Sequence, residues 1–418
     1  MGSIPLNGPT WLADVVGTLH SGYAHIHPYI AVALCLAGTA MNVITVVVFT
    51  RPSMLSPINA ILCAVAICDI LVMTSVLVFV YHFLISATFR CDVEDYDRIW
   101  AYFLFAHSQC TVILHATSIW LTVLLAQIRV YTIKRATSGP TEAITAKATG
   151  FIALVTLFIV AIVNIPNFMT FEIVEIDAEL WLPCLMPASV NTSEQAMSSF
   201  LDIGLFTNVV NLQVAFWVNG IFFKVVPCAL LTVSIIALLK IIRDVSHRRK
   251  NLALVMNKRR MPRDHTTPML VAVLSIFLIA ELPQGLLHVC NAIYSNETFY
   301  QKIYLPLGDL MDLLSLINSA VNFLIYCAMS RKFRNVFMQT FMACLPDPLY
   351  RKLINEWPAL GDLEVTRPKP SGLTDLTKSE QLAMTSSHRV SATSVLIQAN
   401  SKENTSKMYT GNLLSVGL

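Results

Sequence analysis

The sequence predicts an all-α membrane protein, a bundle of seven bilayer-spanning helices. Of 418 residues, 55% are hydrophobic and only 13% charged. The mean hydropathy is +0.62. The apolar residues gather into seven runs of spanning length. A soluble domain carries about 25% charged residues. With so few charges, a water-facing surface would expose large apolar patches. A surface facing lipid removes that conflict.

A spanning helix needs roughly 20 mainly apolar residues. The runs are Tyr29–Thr50, Pro57–Leu84, Ile99–Ile133, Lys147–Met169, Leu212–Ile242, Thr266–Tyr294 and Ile303–Met329. Lipid offers no partner for an open backbone, so each run is expected to be helical. The third and fifth exceed the needed length and can tilt or project into water. Pro166, Pro227 and Pro283 fall inside runs and should kink them. The expected organisation is an outer N-terminal segment over 1–28, a seven-helix bundle with a short eighth helix over 29–345, and a disordered inner tail over 346–418. The N-terminus lacks a basic start followed by an apolar run, so the first span is expected to act as the targeting signal.

Basic residues orient the bundle. Arg51 follows span one; Arg129, Lys134 and Arg135 end span three; Arg243 to Arg263 follow span five; Arg331, Lys332 and Arg334 follow span seven. All fall on one side, expected to be cytoplasmic. The N-terminus is then outside and the C-terminus inside. Sequons at Asn191 and Asn296 lie in outer loops and are expected to be glycosylated, whereas Asn404 lies in the inner tail. The outer loops are acidic, with Asp92, Glu94, Asp95 and Asp97 in one and Glu172, Glu175, Asp177, Glu179, Glu194 and Asp202 in the next. They serve as a soluble outer face, and also as a field that concentrates a cationic ligand.

After span seven, Arg331–Leu345 reads as an amphipathic helix on the inner lipid surface, with Phe333, Val336, Phe337, Thr340 and Phe341 on its apolar stripe. Cys344 is a candidate palmitoylation site, with a free thiol the alternative. The tail beyond is rich in Ser and Thr and suits phosphorylation by a kinase.

A charge at the centre of a span costs about 2.5–3.5 kcal/mol on insertion scales. Each such residue asks for a reason. Asn42, Asp69, Ser118, Asn318, Ser319 and Asn322 read as one hydrated cluster able to hold a cation, sodium being the expected one. His115, Lys224 and Glu281 form a second group nearer the outside, with Asp312 and Gln284 facing the same cavity. Burial disfavours each charge alone, and mutual pairing restores it. Jointly they predict an interior polar cavity. Trp120, deep in span three, reads as a packing residue.

The sequence carries no His-Glu-x-x-His pattern, no glycine loop leading to a phosphate-binding lysine, and no paired His and Cys ligands of zinc spacing. Enzyme chemistry, a resident metal and a nucleic-acid partner are not expected. Most cysteines, including Cys35, Cys63, Cys68, Cys228 and Cys327, sit in apolar runs as small hydrophobes rather than as a disulfide scaffold.

Several motifs resemble the rhodopsin-like receptor superfamily. They are Gly38 to Asn42, Ala64 to Asp69, Ala126-Gln-Ile-Arg129-Val-Tyr131, Pro227, Ala280-Glu281-Leu282-Pro283, and Asn318-Ser319-Ala-Val-Asn322-Phe323-Leu-Ile-Tyr326. The resemblance covers roughly 28–345. Glu281 stands where the superfamily usually has Trp, Ile128 where it has the acid beside Arg129, and Ile235 where span five has Tyr. Pro268 is an unexpected proline early in span six. The segments 281–285, 115–122, 165–168, 223–228 and 326–330 resemble invertebrate FMRFamide and myosuppressin receptors and the related sex peptide and myoinhibitory peptide receptors. The resemblance implies a short amidated peptide as agonist and a heterotrimeric G protein, often inhibitory, as partner, and it adds arrestin as a partner of the tail. It implies switch roles for Arg129, Pro283 and Tyr326, with Asp264 as a candidate partner for Arg129. It also implies an outer disulfide, Cys91–Cys184, or Cys110–Cys184 as second choice. A small-molecule chemosensory receptor and a membrane transporter are the competing readings. The transporter reading leaves the Asn318–Tyr326 pattern unexplained.

Overall fold

The computed structural model describes residues 10–90, 93–136, 145–177, 197–203, 209–255, 266–294 and 299–341. Seven helices are long and apolar enough to cross a membrane: His27–Phe49, Pro57–Arg90, Arg98–Lys134, Ala146–Val163, Gln213–Ile241, Leu274–Tyr294 and Tyr300–Ala328. They are numbered spans 1 to 7 below. The chain is a multi-pass membrane protein.

Span 4 shows the lipid-facing principle most openly. Phe151, Leu154, Phe158 and Ile162 are exposed at three- and four-residue spacing. Thr149, a polar residue, is fully buried instead, the reverse of a soluble helix. Local signals start two of the helices. Ser56 caps span 2 by accepting from the Asn59 backbone N–H, with Pro57 in the first turn. Thr145 caps span 4 in the same way through Ala148 N–H. Span 4 ends earlier than the expected Met169, because Asn164 closes the helix and Pro166 opens a separate short turn, Ile165–Phe168.

Three stretches wind more widely than an α-helix, with π-type turns: Val80–Ser86 in span 2, Val218–Val225 in span 5 and Tyr300–Tyr304 at the start of span 7. Pro227 supplies a reason for the second. Its ring clashes with the carbonyl four residues back, that of Phe223, and the chain relieves the clash by opening the preceding turns. All three wide stretches lie toward the end of the bundle that carries the N-terminus.

At the opposite end the packing is apolar and tight. Val48, Phe49, Ile61, Leu121, Leu125, Ile128, Tyr326 and Phe333 form one buried cluster. The Tyr326 ring meets Phe49 at 5.4 Å edge-on, and Phe333 at 5.6 Å. Phe333 and Val336, with Phe337 and Phe341 packed beside them, seat the amphipathic helix Arg331–Phe341 against this cluster. Cys344 lies outside the described residues.

The segment expected as a plain outer N-terminus departs from that expectation. Thr10–Ala24 is a helix packed beside the start of span 7. Between spans 4 and 5, β1 (Phe171–Asp177) pairs antiparallel with β2 (Met197–Ile203), with Phe171 opposite Ile203. The acidic loop before span 3 also does more than carry charge. Asp95 is buried and ion-paired to Arg90 at 2.6 Å. Asp97 accepts from the backbone N–H groups of Ile99 and Trp100 and so starts span 3. These two carboxylates are committed to structure rather than to a ligand field.

Spans 5 and 6 approach closely through two glycines. A Cβ on Gly285 would sit 2.7 Å from the Lys224 Cβ, and one on Gly220 would sit 2.9 Å from Val289 Cγ2. Small residues permit this approach. Gly285→Ala should therefore lower the thermal midpoint of the purified protein, by an over-packing cost of about 1–3 kcal/mol. Gly150→Ala, on span 4 with no neighbour within 4 Å, should leave it unchanged. Thermal unfolding of both variants checks this.

Candidate ligand cavity

A cavity of about 500 Å³ opens among spans 1, 2, 3, 5, 6 and 7 at the end of the bundle nearer the N-terminus. That volume falls in the range of small-ligand sites. Its walls are mainly apolar, including Val76, Phe79, Val112, Phe223 and Leu287, and the polar lining residues include His107, His115, Asn219, Lys224, Gln284, Tyr304, Asp309, Asp312 and Ser315. The wide turns serve this site. Val80 and Leu84 come from the first, Asn219, Phe223 and Lys224 from the second, and Tyr304 from the third.

Beneath the cavity lies a buried ionic group. Glu281 has no exposed surface and does not line the cavity. Its Oε2 accepts from Lys224 Nζ at 2.5 Å and lies 3.0 Å from His115 Nε2. Its Oε1 accepts from Asn318 Nδ2 at 3.4 Å. Lys224 also donates to Gln284 Oε1 at 2.7 Å, and Gln284 Nε2 donates to Asp312 Oδ1 at 3.3 Å. Ser315 donates to the same Gln284 oxygen. A polar chain thus runs from Asp312 in the cavity through Gln284 and Lys224 to Glu281 and Asn318. The expected pairing of His115 with Glu281 is present, and Lys224 completes it.

The deeper cluster forms in part as expected. Asp69 accepts from the hydroxyls of Ser118 at 3.3 Å and Ser319 at 3.2 Å. Asn42 donates to the carbonyls of Gly38 and Ser319 and so ties span 1 to span 7. Asn318 instead turns its amide to Glu281, joining the two groups. Asn322 is half-buried one turn further on. Among the described residues no group of three or more His, Cys, Asp or Glu is arranged to hold a metal.

The N-terminal helix contacts two residues of the cavity lining, Asp309 and His27. His20 Nε2 lies 3.2 Å from Asp309 Oδ2, and the Tyr23 hydroxyl lies 2.7 Å from His27 Nδ1. Burial first, and then Asp309 and Asp312, push the Tyr23 phenol above its ordinary pKa. Asp309 and Asp312 both line the cavity on this side.

Sequence reasoning missed an amide cluster that fastens spans 3, 4 and 5. Asn164 donates to Gln109 Oε1 at 3.1 Å, and Asn167 and Asn219 exchange amide hydrogen bonds at 2.9 and 3.0 Å. The amides are a signal in themselves, being polar groups in apolar runs. A histidine pair was also missed. His107 stacks on Phe79 at 4.9 Å and meets Ser75 Oγ at 2.7 Å, while His82 stacks on Trp100 and meets the Asp95 carbonyl. Trp120 packs on Phe222, in accord with its packing role.

At the other end, Arg129 is half-buried and Pro283 lies inside the span 6 helix. Ile128, in place of an acid, is buried in the apolar cluster of Leu121 and Leu125. Cys110 is a free thiol, and Cys91, Cys184, Asn191, Asn296 and Asp264 lie outside the described residues.

Removing one partner of a buried ion pair strands the other charge, at a cost of about 3–5 kcal/mol. Glu281→Gln and Lys224→Met should each lower thermal stability strongly. The double variant Glu281→Leu with Lys224→Met should recover most of the loss. Thermal midpoints of the three purified variants decide it.

Comparison with known proteins places the chain. The family model described as serpentine type 7TM GPCR chemoreceptor Srw matches residues 29–344. The Caenorhabditis elegans G-protein coupled receptor dmsr-1 is 33% identical over 81% of this chain and 72% of its own length. The Drosophila melanogaster sex peptide receptor is 25% identical over 77% and 73%. The FMRFamide receptor of the same fly is 25% identical over 73% of this chain and 51% of its own length. These relatives are receptors rather than enzymes. With its seven spans and a match across the whole bundle, the chain belongs to the serpentine seven-helix G-protein-coupled receptor family of the Srw type.

Proposed function

We propose that this receptor resides in the plasma membrane and answers to a short amidated peptide of the FMRFamide or myosuppressin kind. It signals through a heterotrimeric G protein of the inhibitory class. The basic residues between and after the spans favour an inner C-terminus, which puts the cavity outside. Relatives named for sex peptide and FMRFamide support the peptide reading.

The observation that carries it is the different state of two carboxylates. Glu281 already has its cation, Lys224. Asp312 is exposed to the cavity and meets the neutral Gln284 amide. A peptide arginine fits that vacancy as a forked, charge-assisted donor. Its aromatic side chain fits the wall of Phe79, His107 and Phe223. An amide cap matters because Asp309 and Asp312 make the site negative, so a free carboxylate is repelled. A ligand that engages Gln284 competes for the contact that Gln284 makes with Lys224. The Lys224–Glu281 pair joins span 5 to span 6, and a change there is a route to the inner end of span 6. Arg129 and Tyr326 face the G-protein end. Asp69 with Ser118 and Ser319 would hold sodium. Cys91–Cys184 would close the outer loops, Asn191 and Asn296 would carry glycans, and a palmitoyl group on Cys344 would fasten the amphipathic helix to lipid. Kinase and arrestin would act on the tail.

A chemosensory small-molecule role is the second reading, favoured by the family's printed description. One experiment separates them: G-protein activation in transfected cells, read as inhibition of cyclic AMP, against amidated peptides and their free acids. We expect an amidated peptide to activate and its acid to fail. Asp312→Asn should cost about tenfold or more in potency, the worth of a charge-assisted hydrogen bond. Replacing the peptide arginine by citrulline should cost little further in that variant. Arg129→Ala should abolish signalling and leave binding intact. Silence across the library, with the receptor verified at the surface, would favour the small-molecule reading.

A further inference from the structure

The helix Thr10–Ala24 has three distinct sides. Val16 is 4% exposed, and His20 and Tyr23 beside it reach the cavity rim. Asp14, Thr18 and Ser21 form a polar side, with Thr18 and Ser21 hydrogen-bonded back to the helix. Between these two sides Trp11, Val15 and Leu19 recur every fourth residue, and Trp11 and Leu19 are 64% and 63% exposed. An isolated exposed leucine needs no explanation, but a stripe at helical spacing does.

The chain geometry supplies the occupant. Only His25 and Ile26 separate this helix from span 1, so its C-terminal end is held where span 1 enters the bilayer. Exposed apolar side chains follow in turn along the chain, Leu19, then Ile26 at the junction, then Tyr29, Ile30 and Leu36 on the outer face of span 1. That outer face meets lipid, as a spanning helix must. Tryptophan at the end of such a stripe suits the boundary between headgroups and acyl chains.

We infer that Thr10–Ala24 is an interfacial helix that rests its Trp11–Val15–Leu19 stripe on the bilayer surface. Its polar side faces water, and its third side forms one wall of the cavity mouth through His20 and Asp309. The helix contains no Lys or Arg, so its seating depends on apolar burial and does not require anionic headgroups.

Tryptophan emission from the full-length receptor in phosphatidylcholine nanodiscs tests this. The chain has six tryptophans, so the Trp11 signal is taken as the difference between the parent and Trp11→Phe. Lipids brominated at shallow acyl positions should quench that difference signal, and aqueous acrylamide should not. Leu19→Trp in the Trp11→Phe background should behave like Trp11. Ser21→Trp in the same background, on the polar side, should respond to acrylamide and ignore brominated lipid. Adding phosphatidylglycerol should leave the quenching unchanged. Acrylamide quenching of Trp11 and of the Leu19→Trp reporter would overturn the inference by showing a solvated helix. Protection from both quenchers would overturn it by showing protein cover, such as a second receptor copy.

Discussion

Glu281 is the constraint around which this bundle is arranged. A carboxylate with no exposed surface, at the depth of a lipid bilayer, requires a cation and hydrogen-bond donors close by. Three different helices provide them: Lys224 from span 5, His115 from span 3 and Asn318 from span 7. Lys224 reaches its place because the chain before Pro227 winds widely, and because Gly285 lets span 5 lie against span 6. One buried charge thereby gathers side chains of spans 3, 5 and 7 onto span 6.

The two ends of the bundle are built in contrasting ways. The end near the cavity combines wide turns, buried amides and an ionic group. The opposite end is a dense apolar cluster in which Phe49, Tyr326 and Phe333 stack edge to edge. Polar contacts have alternative partners and apolar interdigitation does not. A ligand acting at the first end therefore meets groups that can exchange hydrogen bonds, and the Asp312–Gln284–Lys224–Glu281 chain is the place where such exchange reaches span 6. Asn318 and Ser319, adjacent on span 7, extend the connection toward Asp69. The amide cluster of Gln109, Asn164, Asn167 and Asn219 fastens spans 3 to 5 to one another.

Much of this was legible in the chain because lipid is an exacting solvent. Charged residues such as Asp69 and Glu281 stand out in apolar runs, since their insertion is costly without a purpose. Estimated depth was enough to group His115, Lys224 and Glu281. It was not enough to show that Asn318 belongs with Glu281 rather than with Asp69, because its two candidate partners differ by the rotation of a helix, not by depth. Asp95 and Asp97 read as loop charge, yet one is paired with Arg90 and the other caps span 3, since local backbone geometry settles their contacts. The N-terminal helix is not legible in the hydropathy because its apolar stripe is too short to span a bilayer.

The sequence by itself determined the seven spans, their inward polar residues and the family. These follow from hydropathy and from residue identity, and a bilayer allows few other solutions. Only the tertiary structure decided which polar groups meet. The wide turns at Val80–Ser86, Val218–Val225 and Tyr300–Tyr304 rotate everything beyond them, and a helix-period reading cannot foresee that rotation. The cavity, the seating of Glu281 beneath its floor and the His20–Asp309 contact at its mouth all depend on it, because each joins residues from helices far apart in the chain.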